Sequence, residues 1–198
     1  MRNHKIEYYD NAFDFLQMVL KIKRKSIDQI FDDYLSQEYY FSQIHEKLSI
    51  LENKSIQPNR LGNIKGKILY SIVKSSMPTN IIETGVATGY STSIILMALK
   101  KNNYGLLNSI DYPNYQSILE KILRDINYKG LTCTFLTFDG LKSVAGYILK
   151  SNYYHISKGE KSGWVIPTEL KSRWDLHIGL SEKLLLNIIN KVGSIELF

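Results

Sequence analysis

Nine consecutive residues, from Glu83 to Ser91, read Glu-Thr-Gly-Val-Ala-Thr-Gly-Tyr-Ser and have the composition of a ligand-binding turn. The apolar residues before them are typical of a buried strand, and Ser91–Lys101 has the pattern of a helix. Glycine permits positive φ angles and lets a ligand approach the backbone closely. The start of a helix adds unpaired N–H groups and a positive dipole end. The stretch therefore predicts a cradle for a phosphate, a carboxylate or a nucleoside.

A second acid stands at the end of the next predicted strand. Leu106–Ile110 is an apolar run that stops at Asp111, Tyr112 and Pro113. The carboxyl ends of parallel strands meet at one edge of a sheet, so Asp111 should lie beside the glycine-rich turn. A carboxylate there can accept two hydrogen bonds at once. The alternatives are that Glu83 only ends its strand and that Asp111 only forms a turn before the proline.

The surrounding elements alternate between strands and helices. Beyond Asp111, helices are expected at Tyr115–Tyr128 and Glu182–Lys191, and strands at Leu176–Ile178 and from Ile195 onward. This alternation predicts an α/β fold with a parallel sheet and right-handed crossovers.

The chain before the first strand has helical spacing instead. Residues 11–51 contain neither glycine nor proline and predict three helices, followed by a linker over Asn53–Gly66 and a short helix over Gly66–Ser75. We therefore divide the chain into an N-terminal helical segment, residues 1–60, and an α/β domain, residues 61–198. The domain carries an insertion at about residues 131–161.

The spacing of the glycine-rich turn excludes two common phosphate-binding motifs. A dinucleotide fingerprint, G-x-G-x-x-G, would need glycine where Ala87 and Tyr90 stand, and no G-K-[ST] follows the turn. The pattern instead resembles the acid-x-G-x-x-x-G motif of class I S-adenosylmethionine-dependent methyltransferases, in the form of their small-molecule O-methyltransferase branch. The flanking stretches Gly66–Ile82, Leu107–Asp111 and Gly163–Ser181 resemble the same branch. The resemblance covers about residues 60–128 and 162–198.

The resemblance implies a Rossmann-like three-layer sandwich that binds S-adenosylmethionine. Gly85 and Gly89 would let the backbone approach the methionine part of the cofactor, and Tyr90 would line the pocket. Ser91 would bind the cofactor carboxylate, and Glu83 would reach its ammonium directly or through water. The alternative for Ser91 is a plain helix cap.

The other half of the implied site would hold the nucleoside. Asp111 would accept both ribose hydroxyls, and Gly179 and Ser181 would lie beside the adenine. Leu180 departs from the family, which usually has an acid there, and Ser181 could equally be a helix cap.

The implied activity is methyl transfer to a hydroxyl of a small molecule or sugar. The family's sheet has seven strands, whereas this sequence stops inside the expected fourth, so the sheet is expected to be partial and the domain incomplete at its C-terminus. An inactive or partner-dependent cofactor-binding remnant is therefore an alternative. A nucleic-acid methylation or binding module ranks last; its support is the net charge of +6 and the run Lys21–Lys25.

The cysteine and the histidines do not provide a candidate for a catalytic residue. Cys133 is the single cysteine and is expected to be a buried thiol. His155 falls in the insertion and His177 in the third strand, and both are expected to pack or lie at the surface, so the catalytic base stays unknown. The histidines show no metal-ligand spacing. We expect a cytoplasmic protein without a membrane partner, because the sequence shows no signal peptide and no long apolar run; a homo-oligomer is compatible with it.

Overall fold

The computed structural model describes residues 3–52, 63–112 and 161–197. Within these ranges the helices are α1 (Asn3–Leu20), α2 (Arg24–Leu35), α3 (Glu38–Glu52), α4 (Asn63–Ser76), α5 (Tyr90–Asn102) and α6 (Ser181–Val192). The strands of the same ranges are β1 (Asn80–Thr84), β2 (Leu106–Asp111) and β3 (Trp174–Ile178), and a 3₁₀ helix over Thr168–Arg173 leads into β3. The predicted α/β fold is confirmed.

The three strands form a parallel sheet in the order β1-β2-β3. Glu83 pairs with Ser109 across the first ladder, and Asp111 pairs with Ile178 across the second. On the other edge of β1, Leu197 forms a parallel bridge with Ile81. Across the sheet the order is therefore β3-β2-β1 followed by the segment at Leu197, which is the order of the doubly wound nucleotide-binding folds. The predicted start of a fourth strand is confirmed at this bridge.

Helices cover both faces of the sheet, which makes the three layers of a Rossmann-like sandwich. Ile81 and Leu107 point to the face packed by α4 and α5, where they join the largest apolar cluster. Ile82 and Ile110 point to the opposite face and pack on Ile188 of α6. Because side chains alternate along a strand, Glu83, Ser109 and Asp111 share the face of Ile81 and Leu107.

The N-terminal helices pack onto the same core as the sheet. Tyr34, Ile44 and Leu48 from α2 and α3 are buried in one cluster with residues of α5 and the strands. A second cluster joins α1 and α2 through Phe13, Leu16, Ile27 and Phe31, with the apolar side chains of α4 against it. The three predicted helices are confirmed, and α1 begins earlier than expected, at Asn3. The division of the chain at residue 60 stays a prediction.

The predicted linker Asn53–Gly66 is wrong at its C-terminal end, because α4 begins at Asn63. Gly66 is helical and buried, and an added Cβ would collide with the Tyr34 hydroxyl oxygen. The glycine therefore permits close packing of α4 on α2 and does not break the helix. The helix predicted at 115–128, the insertion at 131–161, Cys133 and His155 lie outside the described residues. Within the described ranges, no helix combines the length and apolarity needed to cross a membrane.

Candidate functional site

The two predicted acids lie on the same face of the sheet near its carboxyl edge. Glu83 stands one residue before the end of β1, and Asp111 is the last residue of β2. The register pairs Glu83 with Ser109, two residues before Asp111 and on its side of the sheet. This register and the hydrogen bond between the Val86 N–H and Asp111 Oδ1 confirm the proximity expected from the sequence. The charge of Asp111 also contributes to raising the pKa of Glu83.

The Glu83 carboxylate accepts hydrogen bonds from three hydroxyl groups. Ser91 Oγ donates to Oε1 at 3.1 Å, and Ser109 Oγ donates to Oε2 at 2.8 Å. Thr92 Oγ1 lies 3.1 Å from Oε1 and 2.9 Å from Oε2. These donors come from the first turn of α5 and from β2, so the acid ties the helix start to the neighbouring strand.

Burial raises the pKa of Glu83 above its ordinary value of 4.5. The hydrogen bonds from Ser109, Thr92 and Ser91 oppose that shift, because they favour the charged form, and the nearby charge of Asp111 adds to it. A cation placed beside this carboxylate would bring its pKa down. The electrostatics of the edge therefore suit a positively charged ligand.

The turn between β1 and α5 has two left-handed glycines with different surroundings. Gly85 has φ +85°, and its N–H donates to Ile110 O at 2.8 Å. In the described part of the chain, no atom beyond its chain neighbours lies within 4 Å of a Cβ added there. Gly89 has φ +95°, and an added Cβ would lie 2.7 Å from Ile166 Cγ1 and 2.8 Å from Gly163 Cα. Gly85 therefore borders open space, whereas Gly89 accommodates a neighbouring segment.

Asp111 is buried, at 2% exposure, and among the residues that the structure describes only one of its carboxylate oxygens has a partner. Oδ1 accepts a hydrogen bond from the Val86 N–H at 3.2 Å, which fixes the carboxylate against the glycine-rich turn. Oδ2 is buried and finds no hydrogen-bond donor within the described ranges. A buried acceptor without a donor is unfavourable, and such a group in a native structure calls for a ligand or water.

The structure at the start of α5 does not agree with the alternative that Ser91 is a helix cap. The N-cap residue is Gly89, which offers no side-chain cap, and Ser91 lies inside the helix with its hydroxyl directed to Glu83. The interpretation of Ser91 as a helix cap is therefore wrong, because the left-handed glycine already ends the turn. Tyr90, the first helical residue, packs against the main core and stacks on His45 of α3, with ring centroids 6.4 Å apart.

Gly179, which follows β3 directly, contacts the site through a backbone hydrogen bond. The Gly179 N–H donates to the Asp111 carbonyl oxygen at 2.9 Å, which holds Gly179 next to the acid. Ser181 is exposed and is the first residue of α6, whose N-cap is Leu180 without a side-chain hydrogen bond. The alternative of Ser181 as a cap is therefore wrong. Roles of Gly179 and Ser181 toward adenine stay predictions.

Sequence reasoning missed several groups that fix the site. Ser109 and Thr92 hold Glu83, and Trp174 Nε1 donates to Ser109 Oγ at 2.9 Å. Period-two alternation could have indicated Ser109, because it lies two residues before Asp111 on the same strand. The contact from Trp174 depends on a ladder between segments 65 residues apart and has no local signal.

His45 lies beside the glycine-rich turn, where it stacks on Tyr90, and His177 lies on the opposite face of the sheet from the two acids. His177 is half-buried on the α6 face of the sheet, where Nε2 lies 3.3 Å from Asp175 Oδ2 and 3.5 Å from Asn108 Oδ1. This confirms a packed strand residue. In the part of the chain that the structure describes, no group of three or more His, Cys, Asp or Glu residues could hold a metal ion.

Comparison with known proteins gives little beyond the geometry. No family model matches the chain, and no curated protein sequence matches it. Among solved structures, the chain is similar to an O-methyltransferase from Bacillus cereus in complex with SAH, at 16% sequence identity and a TM-score of 0.38. The match covers 89% of this chain and 53% of that protein, so the chain spans about half its length.

Proposed function

We propose that this protein binds S-adenosylmethionine at the carboxyl edge of its sheet and transfers the methyl group to a hydroxyl of a small molecule or sugar. The observation that carries the proposal is the state of Asp111. Its Oδ1 is held by the Val86 N–H of the glycine-rich turn, while its Oδ2 is buried and has no partner among the described residues. Gly85, in the same turn, borders open space.

These residues fit the nucleoside part of the cofactor. A ribose carries two neighbouring hydroxyls, and each can donate to a carboxylate. Asp111 Oδ2 has unused acceptor capacity and little access to water, so a hydroxyl donor would remove an unfavourable buried group. The Gly179 backbone, bonded to the carbonyl of the same residue, would border the base. Ser181 would lie at the same end of the sheet.

The opposite half of the site fits the methionine part. Helix α5 has no side-chain cap at Gly89, so the N–H groups of its first turn suit a carboxylate ligand. Tyr90 and Ser91 belong to that turn. Glu83 and Asp111 provide negative charge for the ammonium and sulfonium groups. Because three hydroxyls already bond Glu83, its action on the ammonium would run through water or through Ser91.

When bound, S-adenosylmethionine supplies a methyl group already activated by its positively charged sulfur. The protein's own contribution would then be to bind and orient the reactants. Asp111 and the turn at Gly85 would fix the cofactor at both ends, and Glu83 would hold Ser91 and Thr92 in place. Helix α3 contacts the start of α5 through the His45–Tyr90 stack.

Calorimetric titration with S-adenosylhomocysteine tests the site. We expect saturable binding by the folded protein and an affinity at least about tenfold lower for Asp111→Asn, which corresponds to about 1.4 kcal/mol. The amide can still accept from Val86, but its NH₂ group cannot accept a ribose hydroxyl. Asp175→Asn is the matched control, because Asp175 is an exposed acid on the other face of the sheet. No binding by the wild-type protein would remove the proposal.

Turnover tests the second half of the proposal. With a panel of hydroxyl-bearing small molecules and sugars, we expect transfer of a labelled methyl group to at least one acceptor. Binding of S-adenosylhomocysteine without transfer to any acceptor would instead support a non-catalytic, cofactor-binding protein.

A further inference from the structure

Lys47 of α3 directs its ammonium to three consecutive backbone carbonyls. Nζ lies 3.2 Å from Trp164 O and 3.5 Å from both Val165 O and Ile166 O. A lysine ammonium has three N–H donors, so one side chain can serve all three acceptors. Lys47 is half-buried, which strengthens these contacts relative to a solvated lysine. The contacts join α3 to a turn 117 residues further along the chain.

The other side of that turn bonds the glycine-rich turn. The Gly163 N–H donates to Ala87 O at 2.9 Å, and the Val165 N–H donates to Thr88 O at 3.1 Å. Ile166 and Gly163 also occupy the space left free by the missing side chain of Gly89. Residues 163–166 are therefore an intermediate layer: the carbonyls of Trp164, Val165 and Ile166 face Lys47, and the amides of Gly163 and Val165 bond the glycine-rich turn.

Helix α3 also makes a contact at the C-terminal end of the glycine-rich turn. The His45 ring stacks on Tyr90, which follows Gly89 directly, with 17° between the ring planes. The two contacts arise from His45 and Lys47, two positions apart on one helix. Together they place α3 against both the covering layer and the first residue of α5.

We propose that α3 positions the glycine-rich turn for cofactor binding, with Lys47 as the positioning residue. The proposal rests on the proposed function, because the turn matters for affinity only if the cofactor binds there. Removing the ammonium leaves three carbonyls without their shared donor. Residues 163–166 can then move away from Ala87 and Thr88, and the turn loses the layer that holds its shape. Lys47 would act through these carbonyls and not by direct contact with the cofactor.

The test compares Lys47→Met, Lys47→Arg and Lys74→Met in the full chain. Lys74 is a matched control, because its Nζ donates to Asn102 Oδ1 at 2.9 Å at the C-terminal end of α5, away from the glycine-rich turn. Amide hydrogen exchange is followed at Gly163 and Val165. We expect exchange at least tenfold faster in Lys47→Met, wild-type exchange in Lys74→Met, and recovery in Lys47→Arg, which retains a cationic donor.

The second measurement is the affinity for S-adenosylhomocysteine, at a temperature where every variant is folded. We expect about tenfold weaker binding for Lys47→Met and wild-type affinity for Lys74→Met. Faster exchange without weaker binding would overturn the positioning role and leave a structural contact. Unchanged exchange would overturn the coupling itself. If Lys47→Met does not fold, Lys47→Gln replaces it under the same criteria.

The two proposals fail in different ways. If the wild-type protein does not bind S-adenosylhomocysteine, the proposed function is wrong. The exchange rates of Gly163 and Val165 then decide alone whether Lys47 holds the turn, since that measurement needs no cofactor.

Discussion

Ser109 on β2 donates a 2.8 Å hydrogen bond to Oε2 of Glu83, its register partner on β1. The same hydroxyl accepts a 2.9 Å hydrogen bond from Trp174 Nε1 at the start of β3. One chain of hydrogen bonds therefore crosses all three strands on a single face of the sheet. It holds the acid beneath the first turn of α5 before any ligand arrives, which is the preorganisation that a binding site needs.

Removal of the Ser109 hydroxyl should destabilise the protein measurably. In Ser109→Ala, the Trp174 indole N–H loses its acceptor and Glu83 loses one of its three donors, so we expect a loss of about 1–3 kcal/mol in the free energy of unfolding. Ser93→Ala is the control, because Ser93 is equally buried and its hydroxyl bonds only the Gly89 carbonyl of its own helix. Urea unfolding measures both variants. Equal losses in the two would contradict a special role for the cross-strand chain.

The raised pKa of Glu83 makes part of the stability depend on pH. Since the folded-state pKa lies above the unfolded value near 4.5, its contribution is fully present below that value and is lost as pH rises through the folded-state pKa. Glu83→Gln cannot titrate. We therefore expect the unfolding free energy of the wild type, relative to Glu83→Gln, to fall by up to about 1.4 kcal/mol per pH unit above pH 4.5 and then to level off.

Urea unfolding of both proteins between pH 4 and pH 8 measures that difference, and the other titrating groups largely cancel in it. A difference that stays constant or grows with pH would show that the hydroxyl donors outweigh burial.

Asp33 of α2 links that helix to α4 and α5 through two donors, one buried and one exposed. Tyr70 Oη donates to Oδ2 at 2.7 Å from a fully buried ring, and Lys101 Nζ lies 2.9 Å from Oδ1 with its side chain 47% exposed. Burial and the neighbouring Asp33 both raise the pKa of Tyr70, so its hydroxyl stays a donor throughout the accessible pH range. The buried donor should contribute more, because water screens the exposed ion pair.

We expect Tyr70→Phe to lower the free energy of unfolding by about 1.5–3 kcal/mol. Lys101→Met should lower it by no more than about 1 kcal/mol. Thermal and urea unfolding of the two variants test this order, and a larger effect of the lysine substitution would contradict it.

The sequence predicted the strand ends that carry Glu83 and Asp111, because apolar runs, glycines and helix patterns are local signals. It also predicted that the two acids would meet, since parallel strands bring their carboxyl ends to one edge. The donors to Glu83 depend instead on register and on how α5 sits over the sheet, and no local pattern encodes these.

Two residues had roles that their type alone left open. Gly66 stood at the boundary between the expected linker and the expected helix; it lies inside α4, and the Tyr34 hydroxyl packs where a side chain would be. Ser91 looked like a cap, yet the left-handed Gly89 occupies that position and leaves the hydroxyl to Glu83. The contact that matters for Gly66 comes from a helix distant in sequence, whereas the contacts that decide the role of Ser91 lie within eight residues of it.

The two glycines of the turn should respond differently to substitution by alanine. Both have φ near +90°, so each change adds backbone strain of about 1–2 kcal/mol. At Gly89 the new methyl group would also collide with Ile166 and Gly163, which should add about 1–3 kcal/mol to the loss of stability. At Gly85 it would enter open space, so the fold should tolerate it better.

For cofactor affinity we expect the opposite order of the two variants, if the cofactor binds in the open space at Gly85. Gly85→Ala should then weaken binding of S-adenosylhomocysteine at least about tenfold while costing less stability than Gly89→Ala, because the methyl group occupies volume that the ligand needs. Unfolding in urea and calorimetric titration on the same preparations measure the two effects separately. Of the two glycines, Gly85 is the one where an added methyl group meets no described atom within 4 Å beyond its chain neighbours, so the substitution tests that space directly. Wild-type affinity in a folded Gly85→Ala protein would therefore mean that the ligand does not bind in the space beside Gly85.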